Sequence, residues 1–439
     1  MCIIVIAERC TAITVINGGM YMGAFDKVIG YEHIKGELLQ VCDMIRNKEV
    51  YEKLGAKLPR GILLEGDPGL GKTLMAECFI EESGLSSYII RRTKEKGVFL
   101  KYITEVFQKA AENAPAVILL DDLDKFANED ERHQNAEEYV AVQSGIEASK
   151  GSEIIVIATA NGTDKLPESL LRPGRFDIHL HVNCPENDND ACALIRNFLS
   201  DKQVSERVDV ADLSKMFTHI SCAELETILN RAAIIAASGR KEKIEMEDLV
   251  EGVLQAHYGW YEIYDEASDE EMRKTAIHEA GHLVAAETLD PGCIGLASIR
   301  QTSIDDFGGF VRRCKPFNRQ QEILVSLAGK AATELYYSET CADGCQNDIR
   351  RTINTITKGL IRSGTRGFGF VESRFAGSDN HYVQLEAAAY AEMERVMIQA
   401  RDLLLKNRAF LEKVTEALIE KETLLYSDIR DIRESVVIQ

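Results

Sequence analysis

Two stretches of this sequence carry side chains whose types and spacing imply specific chemistry. The first, Gly66-Asp67-Pro68-Gly69-Leu70-Gly71-Lys72-Thr73, fits the pattern G-x-x-x-x-G-K-[ST]. Its glycines let successive backbone N–H groups turn toward a chain of phosphates, and a following helix N-terminus adds a favourable dipole. Lys72 can then reach the β and γ oxygens, and Thr73 can ligate Mg2+. The second stretch, His278-Glu279-Ala280-Gly281-His282, is H-E-x-x-H. On a helix its two histidines project from one face and can hold one Zn2+, with Glu279 beside them as a base. Zinc in such a place acidifies a water and polarises a scissile carbonyl, while the glutamate takes a proton and returns it to the leaving amine.

Other residues extend both sets. Ala116-Val117-Ile118-Leu119-Leu120-Asp121-Asp122 is a buried-strand run ending in two carboxylates, Asp121 suited to hold Mg2+ and Asp122 to polarise an attacking water. A further run, Ile154 to Ala160, ends at Asn161, whose amide can orient that water. Leu170-Leu171-Arg172-Pro173-Gly174-Arg175-Phe176-Asp177 sets two arginines three residues apart in a turn-rich stretch, where they can stabilise transition-state charge in a neighbouring subunit. On the zinc side no third histidine follows at the H-x-x-G-x-x-H spacing, which rules out a metzincin pattern. Tetrahedral zinc needs one more protein ligand, and Glu287, Glu334 and Asp348 are the carboxylates considered. Glu287 lies roughly 140° around the same helix from His282, a poor geometric choice. Glu334 falls in Leu327-Ala328-Gly329-Lys330-Ala331-Ala332-Thr333-Glu334 and could instead orient a histidine. Asp348 lies in Cys341-Ala342-Asp343-Gly344-Cys345-Gln346-Asn347-Asp348-Ile349, ahead of a helix.

The pattern of the chain supplies elements to carry these groups. Between residues 24 and 185, short apolar runs (Gly61 to Leu64, Ala116 to Leu120, Ile154 to Ala158) alternate with helix-period segments such as Tyr102 to Asn113. That alternation predicts an α/β module, a parallel sheet flanked by helices. From 186 to 256 strand signals vanish, and Ala191 to Leu199, Cys222 to Ala237 and Met246 to Ala256 predict a small helical subdomain. Residues 257–269 have no clear period and suit a linker. In the remainder, 270–439, Glu270 to Leu289 reads as a long helix, Ile294 to Arg313 as short strands broken by Gly295, Gly308 and Gly309, and most of the rest as helices. The H-E-x-x-H pattern therefore sits on a helix of a mainly α domain. Gly281 in mid-helix costs up to about 1 kcal/mol relative to Ala, which predicts a close approach by another element there.

Composition bounds the function. A chain of 439 residues has room for two to four domains, and its net charge of −20 opposes a phosphate backbone over most of the surface, so nucleic acid is not expected as a partner. Eleven cysteines without a C-x-x-C pair fit reduced, mostly buried thiols in a cytoplasmic protein. No apolar run approaches the ~20 residues needed to span a bilayer, and no basic segment precedes the apolar N-terminal stretch as in a secretory signal.

The combination resembles a known family. Ala24-Phe25-Asp26-Lys27-Val28-Ile29-Gly30, Leu54-Gly55-Ala56-Lys57-Leu58-Pro59-Arg60-Gly61, the phosphate loop, Ala158-Thr159-Ala160-Asn161 and Leu171 to Asp177 together resemble the AAA+ ATPase module of FtsH-type proteases. Thr275 to His282, Leu327 to Glu334 and Gly344 to Ile349 resemble the FtsH peptidase domain. The likeness runs from about Ala24 to the C-terminus. It implies ATP as the nucleotide, Asn161 as the sensor-1 residue, Arg172 and Arg175 as arginine fingers, Asp348 as the third zinc ligand and a hexameric ring as the assembly. The implied activity is an ATP-dependent zinc metalloendopeptidase that unfolds, translocates and degrades unfolded or tagged proteins.

Three departures accompany the resemblance. The family places Glu after the Mg2+ aspartate, where this chain has Asp122, one methylene shorter, which would draw the base from its water and slow hydrolysis. Where the family has an aromatic-glycine pore loop this chain has Lys94-Glu95-Lys96-Gly97-Val98-Phe99, with Phe99 the one side chain able to grip a substrate. Members ordinarily begin with transmembrane helices, whereas about 23 residues precede the ATPase module here, so the expectation is a chain without its own membrane anchor, recruited to a membrane, if at all, by a partner. Two other readings follow from these departures: a remodelling or binding protein that hydrolyses ATP slowly or not at all, and a zinc peptidase that works without ATP.

Overall fold

The structure is a computed structural model and describes residues 23–93, 96–127, 136–185, 188–218, 220–258, 268–301, 308–337, 342–363 and 379–439. Of the expected N-terminal segment 1–23 only Gly23 is among these residues, and of the expected linker 257–269 only 257, 258, 268 and 269; Lys94 and Glu95 lie outside them. Contacts divide the chain into two compact units, one reaching Ser200 and including His219–Glu226, the other made of Asp201–Thr218 and Thr227–Gln439.

In the first unit a short 3-10 turn at Ala24–Lys27 leads into helices α1 (Glu32–Arg46) and α2 (Lys48–Lys53). There follow β1 (Gly61–Glu65), α3 (Lys72–Ser83), β2 (Ser86–Ile90), α4 (Lys96–Glu112), β3 (Ala116–Leu120), α5 (Glu137–Ala148), β4 (Ile154–Ala160), β5 (Ile178–His181) and α6 (Asp188–Leu199). The five strands form one parallel sheet in the order β2-β3-β4-β1-β5, as the alternation of runs and helices predicts. Every residue of β3 and β4 is buried, because a parallel sheet is covered on both faces and its central strands must be apolar on both. Side chains alternate between two cores. Leu63, Ile118, Leu120, Val156 and Ala158 pack with Phe99, Ile103 and Phe107 of α4 and with Tyr139 and Ile146 of α5. Ile62, Leu64, Val117, Leu119, Ile155 and Ile157 pack with Leu38 and Val41 of α1 and with Met75 and Phe79 of α3.

Parallel strands end on one edge, where α/β sheets bind ligands. The phosphate loop follows β1, Asp121 follows β3 and Asn161 follows β4, with Glu65 in register with Ala160 and Leu120 with Ala158.

The second unit continues with α7 (Val210–Met216), α8 (Cys222–Ser238), α9 (Met246–Tyr258), α10 (Asp269–Leu289), β6 (Ile294–Gln301), β7 (Gly308–Arg313), α11 (Arg319–Tyr336), α12 (Ala342–Ser363), α13 (Asp379–Lys406), α14 (Arg408–Lys421), β8 (Thr423–Leu425) and α15 (Tyr426–Glu434). The opening residues of α8 belong with the first unit. Strands β7-β6-β8 form a small antiparallel sheet, and α10 runs through the centre of the helical core, with Ala276, Ile277, Ala280, Leu283 and Val284 all buried. Ser268 starts α10 with a capping box to Glu271, and Asn318 starts α11 with one to Gln321, each satisfying otherwise orphaned N–H donors. A Cβ on Gly281 would lie 2.5 Å from the Ala328 carbonyl oxygen and 2.6 Å from the Ala332 Cβ, so α11 is the element that requires glycine in mid-α10. Among the described residues no helix is long and apolar enough to cross a membrane. None of the eight described cysteines forms a disulfide; four are buried and four half-buried.

Candidate functional site

At the sheet edge of the first unit the phosphate loop closes on its own lysine. Gly71 adopts φ 86° as the N-cap of α3, and Gly66 and Gly69 also have positive φ, so the loop turns its backbone as the spacing predicts. Lys72 Nζ donates to the carbonyls of Gly66 and Asp67, both at 2.7 Å, and to Asn161 Oδ1 at 3.1 Å. Burial lowers the Lys72 pKa from its ordinary value, opposed by Asp122, Asp124 and Asp67. Leu70 is buried in the core, so this loop residue offers only its backbone.

Asp121 is the hub of the polar set. Its Oδ1 accepts from Thr73 Oγ1 at 2.9 Å and from Thr159 Oγ1 at 2.8 Å, and its Oδ2 accepts from Arg91 Nε at 2.7 Å. Thr73 and Asp121 thus present adjacent oxygen donors, the kind Mg2+ requires. Asp122 has φ 56°, a left-handed conformation that Asp tolerates better than most residues, and its carboxylate accepts from Lys125 at 2.8 Å. Asp124, which carries no motif signature of its own, is buried and accepts from the Asn161 backbone at 3.2 Å and from its Nδ2 at 3.5 Å. It thereby turns the amide oxygen of Asn161 toward Lys72.

In the second unit α10 presents His278 and His282 on one face and α12 brings Asp348 to them. Asp348 Oδ2 lies 3.2 Å from the Nε2 of each histidine, and the two Nε2 atoms are 3.0 Å apart. A tetrahedral zinc with ligands at 2.0–2.1 Å has ligand-to-ligand edges of about 3.3 Å, so these three atoms fit three of its corners. Glu287 and Glu334 do not join them. Glu287 is buried and accepts the backbone N–H groups of Gly292, Cys293 and Ile294, fixing the turn after α10.

The charges here are coupled. Burial disfavours a charged His282, yet the adjoining Asp348 carboxylate outweighs it and holds the imidazolium up to about 9. His278 is pushed down, chiefly by burial, and stays neutral. Burial alone would raise the Asp348 carboxyl, but the two histidines hold it well below the usual carboxylate range. Glu279 is pushed up to about 8 by burial. Zinc requires neutral imidazoles and an ionised carboxylate, and this set reaches that state by losing the one proton on His282.

Several supporting groups carry no signature in the sequence. Val325 accepts through its carbonyl oxygen from His282 Nδ1 at 2.7 Å, which points Nε2 at the ligand cluster. Cys345 Sγ lies 3.9 Å from His278 Nδ1. A Cβ at Gly329 would come within 2.4 Å of His282 Nε2, so only glycine leaves room for the histidine pair.

Comparison with known proteins bears on the family of the chain. Residues 62–184 match the ATPase family associated with various cellular activities (AAA). Over 435 aligned residues the chain is 31% identical to ATP-dependent zinc metalloprotease FtsH 2 of Sphaerobacter thermophilus, covering 93% of this chain and 66% of that protein. It is 30% identical to ATP-dependent zinc metalloprotease FtsH 3 of Symbiobacterium thermophilum, covering 94% of this chain and 71% of that one. With the FtsH of Thermus thermophilus the identity is 29%, over 94% of this chain and 71% of the relative. The chain belongs to the FtsH family. It spans about two thirds of the length of these relatives, and 56% of the FtsH of Leptotrichia buccalis.

For an FtsH-family chain, three details of the structure stand out. Phe99, expected to grip substrate, is fully buried and packs edge-on against Phe126 with ring centroids 5.1 Å apart. The expectation is overturned because α4 begins at Lys96 rather than near Tyr102, so helix periodicity turns Phe99 into the core. Glu334 does not orient a histidine either. It pairs with Lys330 and Arg401, and the backbone carbonyl of Val325 takes the role considered for it. Arg172 is exposed, and Arg175 donates to the Ser169 carbonyl and pairs with Glu147. Among the described residues, no hydrogen bond or ion pair of either arginine reaches the phosphate loop, Asp121 or Asn161.

Proposed function

We propose that the chain is an ATP-dependent zinc metalloendopeptidase that unfolds, translocates and degrades protein substrates. The observation that carries the reading is the meeting of His278, His282 and Asp348 beside the buried Glu279, in a chain that also holds a complete phosphate loop. When bound, zinc supplies Lewis-acid polarisation of a peptide carbonyl. The protein supplies the rest. Glu279, buried beside the histidine pair, is placed to take a proton from the attacking water and deliver it to the leaving nitrogen. Strand β7 is a sheet edge, and a Cβ at its Gly309 would come within 2.8 Å of the Glu279 side chain, so an extended peptide adding to this edge passes close to the base.

In the nucleotide module, Gly66 to Thr73 and Asp121 bind Mg·ATP, Asp122 and Asn161 act on the water, and Arg172 and Arg175 reach the nucleotide of a neighbouring copy in a homo-oligomeric ring, a hexamer by family resemblance. The segments are then an ATPase module at 24–185, a helical lid at 186–256, a linker at 257–269 and a peptidase domain at 270–439. A cytoplasmic location follows from the cysteine usage.

A second reading, slow ATP use in remodelling or binding, draws on the buried Phe99 and the Lys125 ion pair of Asp122. One experiment separates the readings: degradation of a loosely folded reporter by the zinc-loaded chain with ATP, with a non-hydrolysable analogue, and with Glu279→Gln and Lys72→Ala variants. Cleavage that needs ATP and is lost in both variants supports the proposal. Cleavage with either nucleotide indicates an ATP-independent peptidase, and none at all points to remodelling or binding.

A further inference from the structure

We propose that Arg91 is a built-in counter-ion that competes with Mg2+ for Asp121 and so sets the free Mg2+ concentration at which the nucleotide site fills. The inference rests on the reading of the phosphate loop as a nucleotide site.

Sheet register is what puts the two residues together. Strands β2 and β3 are parallel neighbours with Ile90 opposite Leu120, and the Asp121 N–H donates to the Ile90 carbonyl at 3.0 Å. The next pair beyond the ladder is therefore Arg91 and Asp121, whose Nε and Oδ2 atoms lie 2.7 Å apart. The carboxylate is already heavily used, since Oδ1 accepts both Thr73 and Thr159 hydroxyls. With about four lone-pair sites in all, a carboxylate holding two hydroxyls and a guanidinium has little left for a metal.

A divalent cation arriving at Thr73 and Asp121 consequently meets a positive charge in its place. Exposure shows which partner yields: the Asp121 side chain is 10% exposed and fixed by its hydroxyl donors, whereas that of Arg91 is 51% exposed. Glu77 offers a second resting place, its Oε1 lying 3.8 Å from Arg91 Nη2. Mg2+ binding is thus an exchange in which the guanidinium leaves Asp121 for Glu77 and solvent.

The test is a titration of free Mg2+ into the full chain holding a sub-saturating fluorescent ADP, read by polarisation. For Arg91→Gln the Mg2+ midpoint should fall about three- to tenfold, with nucleotide affinity in the absence of Mg2+ unchanged. Glu77→Gln, which removes the alternative anchor and leaves the Arg91–Asp121 pair intact, should move the midpoint upward and serves if Arg91→Gln folds poorly. An unmoved or raised midpoint in Arg91→Gln overturns the proposal. So does a loss of Mg2+-free nucleotide affinity, which would make Arg91 a phosphate ligand. If the parent binds no ADP, or Lys72→Ala binds it as well as the parent does, the nucleotide-site reading itself fails, a result distinct from an unmoved midpoint.

Discussion

Asp348 Oδ2 lies 3.2 Å from His282 Nε2, across 66 residues of sequence, and this contact makes the metal-free site a half-buried ion pair. His282 is raised to about 9, so its contribution is complete below the ordinary histidine value and is lost as pH rises through 9. Asp348 is depressed, so its contribution is present above the ordinary carboxylate value and is lost as pH falls below it. The pair therefore stabilises the metal-free protein between about pH 4 and pH 9. In chelator-treated protein, Asp348→Asn should lower unfolding free energy by about 2–4 kcal/mol near pH 7 and by much less at pH 10. Urea melts at the two pH values check this, and an equal loss at both would remove the ion pair from the account.

Zinc affinity should follow the same proton. Binding expels it from His282, so the apparent affinity of the parent should climb with pH up to about 9 and flatten above. In Asp348→Asn the imidazolium loses the carboxylate that raises it, and the climb should end nearer the ordinary histidine pKa, with weaker binding throughout. Competition against a calibrated chelator across pH measures both slopes.

Gly329→Ala tests the space around the histidines. The added methyl would sit 2.4 Å from His282 Nε2 and 2.7 Å from His278 Cε1, within a helix that otherwise prefers Ala to Gly by about 1 kcal/mol. The expected outcome is a folded protein with near-parental melting and zinc binding reduced at least tenfold. Parental zinc content by elemental analysis would show that the rings move aside at no loss.

Legibility followed the range of the interaction. Strands β3 and β4 stand out as unbroken apolar runs because both of their faces are covered, and the helix of His278 and His282 is specified by spacing alone. Strands β2 and β5 lie at the sheet edges, and β2 opens on Ser86 and Ser87, so neither carries the signal of a buried strand. What stayed hidden at the sites is non-local or not a side chain at all. The Val325 carbonyl has no residue signature, Gly329 acts by the space it leaves, and Arg91 reaches Asp121 only because β2 lies beside β3. Asp348 was singled out by family likeness, since helix spacing disfavours Glu287 but leaves Glu334 and Asp348 open until the fold places one of them.

Lys125 holds the carboxylate expected to polarise the attacking water. Its removal in Lys125→Ala should raise steady-state phosphate release about two- to fivefold, the effect of one exposed ion pair, without changing nucleotide affinity. Asp122→Glu should raise it further by extending the base, with a small loss of stability because position 122 has φ 56°. Turnover no faster in either variant would mean that the base is not what limits hydrolysis.

Phe99 offers the clearest separation between a substrate-gripping residue and a core residue. A pore residue can be truncated with little effect on folding, and the loss appears in translocation alone. Phe99, fully buried against Phe126 in the core formed by α4, α5 and the sheet, should instead lose about 3–5 kcal/mol of stability in Phe99→Ala. Phe99→Leu keeps much of the volume and should lose less than half of that. Thermal melts of the two variants, set beside degradation of an unfolded reporter at a temperature where both remain folded, decide the matter. Parental stability with abolished degradation in Phe99→Ala would return the side chain to the substrate path, whereas a graded loss of stability with retained degradation in Phe99→Leu places any grip on the substrate elsewhere in the chain.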